Sequence, residues 1–371
     1  MKLTVERSAL LKSLAHVQSV VERRNTIPIL SNVLIEARDG ALHLTATDMD
    51  LTVVETVPAS VADAGDTTAP AHTLYEIVRK LSEGAEIQLS TDGAGQLALR
   101  AGRSRFSLPT LPKDDFPVAA AAQLPHEFSL APGEAQAIID RTAFAISTEE
   151  TRYYLNGIYL HTPTQDDPKV LRAVATDGHR LARFEMPLPA GAGAMPGVIV
   201  PRKAVAELRR LLAEGEGRVD VALSDTRIRF TLGPIVLTSK LIDGTFPDYQ
   251  RVIPTGHDKV AVVDKKAFAE AVDRVATISS EKSRAVKVAL KANVMTVSAT
   301  SPENGSASEE LEVDYQGPAL EIGFNARYLL DITQQIQGDG ARIELADAAS
   351  PTLVRDGADA SALYVLMPMR V

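Results

Sequence analysis

The sequence predicts an α+β fold made of three copies of one unit, and three recurrences carry that expectation. A short strand followed by a helix opens at Leu3, Phe128 and Val260. A strand running into Ala-Thr-Asp or Ala-Thr-Ser comes next in each copy, and a second helix with a glycine-bearing turn and a strand follows it. The period is far longer than that of a stacked solenoid, so each copy reads as a whole domain. Two helices and about eight strands per copy, mostly in hairpin order, imply helices laid on one face of antiparallel sheets.

The opening stretch Leu3–Val17 returns as Phe128–Ile139 and Val260–Val272. Leu10, Leu14, Val17 and Val21 share one helical face, as do Phe268, Val272 and Val275. Pro132 and Asp264 stand where a first-turn residue and a cap belong. The alternating runs Leu42–Asp48, Leu171–Asp177 and Met295–Ser301 read as half-buried strands entering a turn. Second helices are expected within Ala69–Leu81, Val200–Leu212 and Phe324–Ile332, followed by strands such as Gly84–Leu89 and Gly217–Leu223. Each copy closes on a strand and a proline, at Ser104–Pro109, Leu237–Ile242 and Ala362–Pro368. The stretches Val118–Pro125 and Pro254–His257 look like linkers. Gly191–Gly197 reads as a flexible loop, because no helix follows it at the spacing of a dinucleotide fingerprint.

The chain has 371 residues, 45% hydrophobic and 23% charged, enough for large cores and two or three domains. With no Trp and 5% aromatics, small aliphatics must do most of the packing. No apolar run approaches the ~20 residues of a membrane span, and the start resembles neither a signal nor a transit peptide. Absence of cysteine excludes disulfides, thiolate metal sites and a Cys nucleophile. A net charge of -9 argues against a surface coated for gripping nucleic acid, so any DNA role needs local basic patches. Two helical segments supply them: Glu6–Arg24 and Pro201–Glu214 are each net positive. A solvated helix face is the bland reading, and a phosphate-facing surface the functional one.

The last ten residues, Ala362–Val371, read as an apolar strand ending on the final residue. Chain ends are usually frayed, so a terminus this apolar is docked as an edge strand or serves as a binding surface. Its two methionines flank a proline, and Met adapts to several partners.

Eight short motifs, in order along the whole chain, resemble the beta subunit of bacterial DNA polymerase III, the sliding-clamp family. They are Leu3–Arg7, Ile27–Leu30, Gly102–Leu108, Arg152–Gly157, Ala175–Ala182, Val200–Lys203, Gly244–Tyr249 and Met367–Arg370. The resemblance implies clamp domains at residues 1–123, 124–255 and 256–371, assembled as a head-to-tail homodimeric ring with helices inside and sheets outside. It implies a cytoplasmic protein with no cofactor and no metal. Its partners would be double-stranded DNA bound without sequence preference, the polymerase III alpha subunit, the clamp loader, and other polymerases or repair proteins carrying short linear motifs. The subunit joint maps to Ile77, Arg103, Arg105, Phe106 and Leu108 against Thr277, Ile278 and Glu309. The partner pocket maps to Leu155, Thr176, Gly178, His179, Arg180, Leu181, Pro247, Arg251, Val252, Asn325, Tyr328, Val365, Leu366, Met367, Pro368, Met369 and Arg370. There Arg180 and Arg370 are expected to meet a peptide's polar groups. DNA contact maps to Arg24, Arg152, Tyr153 and Tyr154, with Arg202 and Lys203 on the basic helix. Glu149 is left out, because carboxylates repel phosphate.

Two other classes fit parts of the sequence. Asp177-Gly-His-Arg180 offers a carboxylate beside a histidine, a common proton-transfer pair, but no nucleophile, metal-ligand spacing or Walker lysine accompanies it. The alternative is a turn in which Asp177 bonds backbone groups and Gly178 permits the bend. A monomeric DNA-binding regulator would use the same basic helices, and would hold short linear duplexes as well as circles.

Overall fold

The computed structural model describes residues 1–370 except 25, 92, 94, 118–121, 164–168, 215, 216 and 281–283. Six α-helices are present among these: α1 (Arg7–Gln18), α2 (Ala71–Lys80), α3 (Pro132–Thr142), α4 (Arg202–Leu212), α5 (Lys265–Ala276) and α6 (Ala326–Thr333). Two fall in each copy, as the repeats require. None is long and apolar enough to cross a membrane.

The helix starts have local causes. Glu6 accepts from the Ala9 N–H at 3.0 Å, Asp264 from Ala267 at 2.7 Å and Asn325 from Arg327 at 3.0 Å, each satisfying a first-turn donor. At α3, Pro132 takes the first helical position and Glu134 reaches back to the Ala131 N–H at 2.7 Å. Leu10, Leu14 and Val17 are buried on one face of α1. The helix stops at Gln18, so Val21 reaches the core from the following turn and not from the helical face the periodicity assigned it.

The contacts divide the chain into two units. One holds residues 1–135, 189–196 and 203–241, the other 136–188, 197–202 and 242–371. In the first, a five-stranded sheet runs Ser60–Asp63, Lys2–Glu6, Glu86–Thr91, Gln96–Ala101, Ser104–Pro109. Its eight-stranded companion runs His126–Leu130, Val219–Leu223, Arg227–Leu232, Ile235–Lys240, Leu51–Pro58, Ala41–Thr47, Asn32–Arg38, Gly65–Pro70. Four of its strands come from the second copy and four from the first. Their seam pairs Ile235–Lys240 with Leu51–Pro58, with Leu237 opposite Val53.

The second unit repeats the plan. Its eight-stranded sheet runs Val198–Pro201, Gly157–His161, Val170–Thr176, Arg180–Pro187, Ala362–Leu366, Thr352–Asp356, Gly340–Leu345, Lys259–Asp264. A four-stranded sheet runs Gly305–Glu312, Val294–Ser301, Ala285–Lys291, Leu320–Asn325. The seam here pairs Arg180–Pro187 with Ala362–Leu366.

Two expectations are corrected. The terminal strand covers only Ala362–Leu366, lies inside its sheet and is buried throughout, so it is not an edge strand. Pro368 has no N–H to continue the ladder, and Met369 makes one bridge, to Gly323. The expected strand end at Val371 lies outside the described residues. Gly191–Gly197 is no flexible loop: a 3₁₀ turn spans Ala192–Ala194, and a Cβ on Gly191, at φ +95°, would sit 2.1 Å from the Glu127 carbonyl oxygen. Only glycine fits so close to another backbone. The linker expected at Val118–Pro125 lies partly outside the described residues, and Pro254–His257 carries no helix or strand.

Candidate functional site

A cleft of about 330 Å³ opens in the second unit. Its floor follows from strand alternation across the seam, where Leu181 stands opposite Val365 and both side chains join a cluster with Leu155, Tyr249 and Phe246. Tyr154, Pro247, Val252 and Met367 line it further. Val252 and Met367 are 49% and 41% exposed, large apolar groups left in water. Polar groups are few: Arg152, Thr176, Asp248 and the turn at Gly178 and Arg180. An apolar trough with sparse polar points suits a short peptide.

The turn Thr176–Arg180 is fixed by its own side chains. Thr176 Oγ1 donates to the Arg180 carbonyl at 2.7 Å and accepts from the Gly178 N–H at 3.1 Å. Asp177 Oδ1 accepts from the N–H groups of His179 and Arg180 at 2.9 and 3.0 Å, and Oδ2 from Arg180 Nε at 3.1 Å. Asp177 is thus spent on the turn, and His179 lies exposed beside the Tyr328 ring. The acid–base reading of this motif has no support in that geometry.

Arg180, expected to meet a peptide's polar groups, lines the cleft, but its guanidinium is already engaged. It is 8% exposed, bonds Asp331 on α6 at 2.5 Å and the Phe144 carbonyl at 2.6 Å, and lies 4.3 Å from the Tyr328 ring centre. A guanidinium this buried requires its acids and rings, so Arg180 shapes the turn from behind. Leu366, fully buried, points away from the cleft by strand alternation, and Asn325 is spent on capping α6. Pro368, Met369 and Arg370 line a separate groove with Lys287, Glu321 and Ala348. His179, Arg251 and Tyr328 also lie off the cleft lining, Arg251 paired with Asp248 at 2.8 Å.

The residues expected at DNA divide. Arg24 and Arg202 are exposed, and Tyr153 is 53% exposed. Arg152 and Tyr154 instead line the cleft. Arg152 bonds Glu149 at 2.6 and 2.9 Å and the Asp177 carbonyl at 3.0 Å. Its hydrogen bond to Glu149 raises the guanidinium's pKa and lowers the carboxylate's, so its charge is already answered. Lys203 is likewise held by Asp48 and by Glu22, the latter at 3.2 Å. Burial alone would lower its pKa, but the bonds to Asp48 and Glu22 outweigh burial and raise it.

At the expected joint, Ser104–Pro109 and Gly305–Glu312 are both the outermost strands of their sheets. Arg103, Arg105 and Phe106 are exposed, whereas Ile77 and Ile278 are half-buried and Thr277 is exposed. Leu108 is 6% exposed and belongs to its own core, so it supports the edge without presenting it. Glu309 is bound by Arg274 at 2.5 and 3.0 Å, which neutralises it within its own unit.

Sequence reasoning missed Asp248 and Tyr249 as cleft residues. The signal was in Gly244–Tyr249, whose Phe246 and Tyr249 pack under the cleft. No group of three or more His, Cys, Asp or Glu able to hold a metal occurs among the described residues.

Repeated α+β domains with seamed sheets and a peptide-sized apolar cleft define a docking scaffold of the processivity-clamp class. Models of the N-terminal, central and C-terminal domains of the DNA polymerase III beta subunit match residues 1–120, 129–248 and 250–370. The beta sliding clamp of Caulobacter vibrioides is 56% identical and that of Escherichia coli K12 41%, each with both chains covered in full. A solved sliding clamp from Bartonella birtlesii, bound to griselimycin, superposes with a TM-score of 0.98 at 52% identity, and one from Pseudomonas aeruginosa with 0.94 at 41%, again over both full chains. The chain belongs to the DNA polymerase III beta subunit family, the bacterial sliding clamps.

Proposed function

We propose that two copies of this chain close head to tail into a ring around duplex DNA and tether the replicative polymerase, clamp loader and repair proteins through the cleft. The role is processivity, performed in the cytoplasm without catalytic residues, by domains spanning residues 1–123, 124–255 and 256–371. The observation that carries the reading is the cleft itself, apolar at its floor and open at Val252 and Met367. Short peptides with aliphatic and aromatic anchors fit it, and Arg152, Arg180 and Asp248 are the charged groups in its lining.

The joint reading rests on charge and edge geometry. Arg100, Arg103 and Arg105 are exposed at or beside one outer strand, while Glu303, Glu310 and Glu312 are exposed at the other. Unpaired strand edges of opposite charge suit each other in an antiparallel ladder, and head-to-tail contacts that close give a ring. Duplex DNA is then met by exposed cations such as Arg24 and Arg202 through phosphate alone, a weak and salt-sensitive attraction that allows sliding.

The test is retention. Protein loaded on a nicked circle should stay until the circle is cut, and short linear duplexes should bind weakly and lose the protein as salt rises. Equal retention on both would mean the chain grips DNA as a monomeric regulator would. Phe106→Ala should shift sedimentation toward monomer with unchanged circular dichroism, since a Phe buried in a joint is worth about 3–5 kcal/mol.

A further inference from the structure

His16 on α1 has no part in the cleft or the joint, yet it is fully buried between two carboxylates. Its Nδ1 lies 2.7 Å from Glu55 on the strand Leu51–Pro58, and its Nε2 lies 3.0 Å from Glu214, just past the end of α4. One acid belongs to the first copy and the other to the second. We propose that His16 is a proton-operated clasp: charged, it ties α1 to the end of α4, and on losing its proton it releases Glu214 while keeping Glu55.

The chemistry follows from counting donors. A neutral imidazole has one N–H, so only the imidazolium can donate to both acids. Glu55 is 5% exposed and, among the described residues, takes its second hydrogen bond from Ser13 Oγ, at 2.7 Å. Leaving one oxygen of that buried carboxylate without a donor is costly, so the proton remaining after deprotonation stays on Nδ1. The Nε2 lone pair then faces Glu214, whose side chain is 46% exposed and can turn into water. The release is therefore directional.

The groups around the ring favour the charged form. Burial opposes it, but the hydrogen bond and charge of Glu55, with Glu214 behind, raise the His16 pKa above its ordinary value. Arg210 on α4 counters weakly; it bonds the His16 carbonyl at 2.9 Å and is paired with Glu207. On α1 itself, Lys12 lies near Glu214, and Ser19 bonds both the His16 carbonyl and Glu207. From α2, His72 turns to Gln18 and the Val21 carbonyl, and on the neighbouring strand His43 bonds Thr56, so neither meets His16. A raised folded-state pKa means the tie is complete below about 6.5 and is lost as pH rises through the folded value.

The experiment uses the full-length protein with 13C-labelled histidine. The His16 ring signal, assigned by its loss in His16→Gln and by its selective shift in Glu214→Gln, should titrate above pH 6.5. Glu214→Gln should lower that midpoint by about half to one pH unit, a three- to tenfold weaker hold on the proton. Amide exchange over residues 208–214, corrected for its intrinsic pH dependence, should accelerate above the midpoint in the native protein. In Glu214→Gln, whose amide can hydrogen-bond the ring in either state, it should not change at the midpoint. A His16 midpoint at or below 6.5, or exchange in the native protein that ignores pH, overturns the clasp. Because Glu214 is half-exposed, its variant keeps the test open even if His16→Gln does not fold.

Discussion

The turn Thr47–Leu51 in the first unit and the turn Thr176–Arg180 in the second share one hydrogen-bond scheme and differ at their third position. Thr47 Oγ1 donates to the Leu51 carbonyl at 3.0 Å, as Thr176 does to that of Arg180 at 2.7 Å. Asp48 accepts from the N–H groups of Asp50 and Leu51, as Asp177 does from His179 and Arg180. The third residue is left-handed in both, Met49 at φ 79° and Gly178 at φ 88°. Met49 shows that the turn tolerates a side chain. What differs in the second unit is Arg152, whose Nη1 would lie 2.5 Å from a Cβ at 178, so a side chain there would push the arginine's flexible end aside. Gly178 therefore belongs to the cleft, where it lets Arg152 approach, more than to the turn.

The helices repeat the lesson. His16 and Arg141 hold equivalent places on the first helices of the first two copies, and each reaches an acid of the following copy. His16 meets Glu214, and Arg141 meets Asp359 at 3.3 Å. One tie carries a proton that can leave, and the other a permanent charge.

Four experiments sharpen or break the comparison. Arg180→Ala should have the largest effect. It leaves Asp177 and Asp331 without their buried cation, a loss of about 3–5 kcal/mol for a paired interior charge. Urea unfolding followed by exchange in the second unit should show it, and peptide binding should fail; a change below 1 kcal/mol would mean the turn holds without Arg180.

Gly178→Ala comes next, at about 1–2 kcal/mol for a left-handed non-glycine residue. Anisotropy with a labelled partner peptide should show weaker binding as Arg152 is displaced. Unchanged affinity would separate Arg152 from the cleft.

The third experiment is a pair of pH profiles. In the first unit, stability tied to His16 falls as pH rises above 6.5. In the second, burial would raise the pKa of Asp356, but N–H groups of Gly338, Ala358 and Gln337 prevail and lower it. Its contribution is therefore present above about 3.8 and is lost as pH falls through the folded value. Exchange resolved by unit should show losses at opposite ends of the pH scale, and coincident profiles would erase the distinction.

Met49→Gly should matter least. It removes left-handed strain but frees the unfolded chain, for a net change under about 1 kcal/mol by thermal melting.

Much of this was legible in the residues. The cap at Asp264, the proline opening α3 and the Ala-Thr-Asp turns are local signals, and they set the copies and their elements. The seams were not legible, because alternation tells which face a strand buries and not which strand lies beside it. Nor was the burial of Arg180. A Gly-His-Arg turn reads as exposed, and the partners that make an interior guanidinium tolerable include Asp331, 151 residues further on, and the Phe144 carbonyl, besides the neighbouring Asp177. That Arg152 and Tyr154 line the cleft was not legible for a related reason: the 3₁₀ segment Glu150–Leu155 breaks at Arg152, at φ -109° and ψ 49°, and neighbouring side chains diverge there.

The two seams obey a rule of succession. The closing strand of a copy pairs with the strand that leaves the Ala-Thr-Asp turn of the copy before it, Ile235–Lys240 with Leu51–Pro58 and Ala362–Leu366 with Arg180–Pro187. Three copies in line satisfy the rule twice. They leave a first copy whose closing strand, Ser104–Pro109, has no predecessor, and a third whose strand after the turn, Gly305–Glu312, has no successor. Every linear array of such copies, however long, carries the same two vacancies, as a staircase keeps a lowest and a highest step. Closure on a second chain removes both, and the proposed joint is then the sequence of seams continuing across a break in the polypeptide.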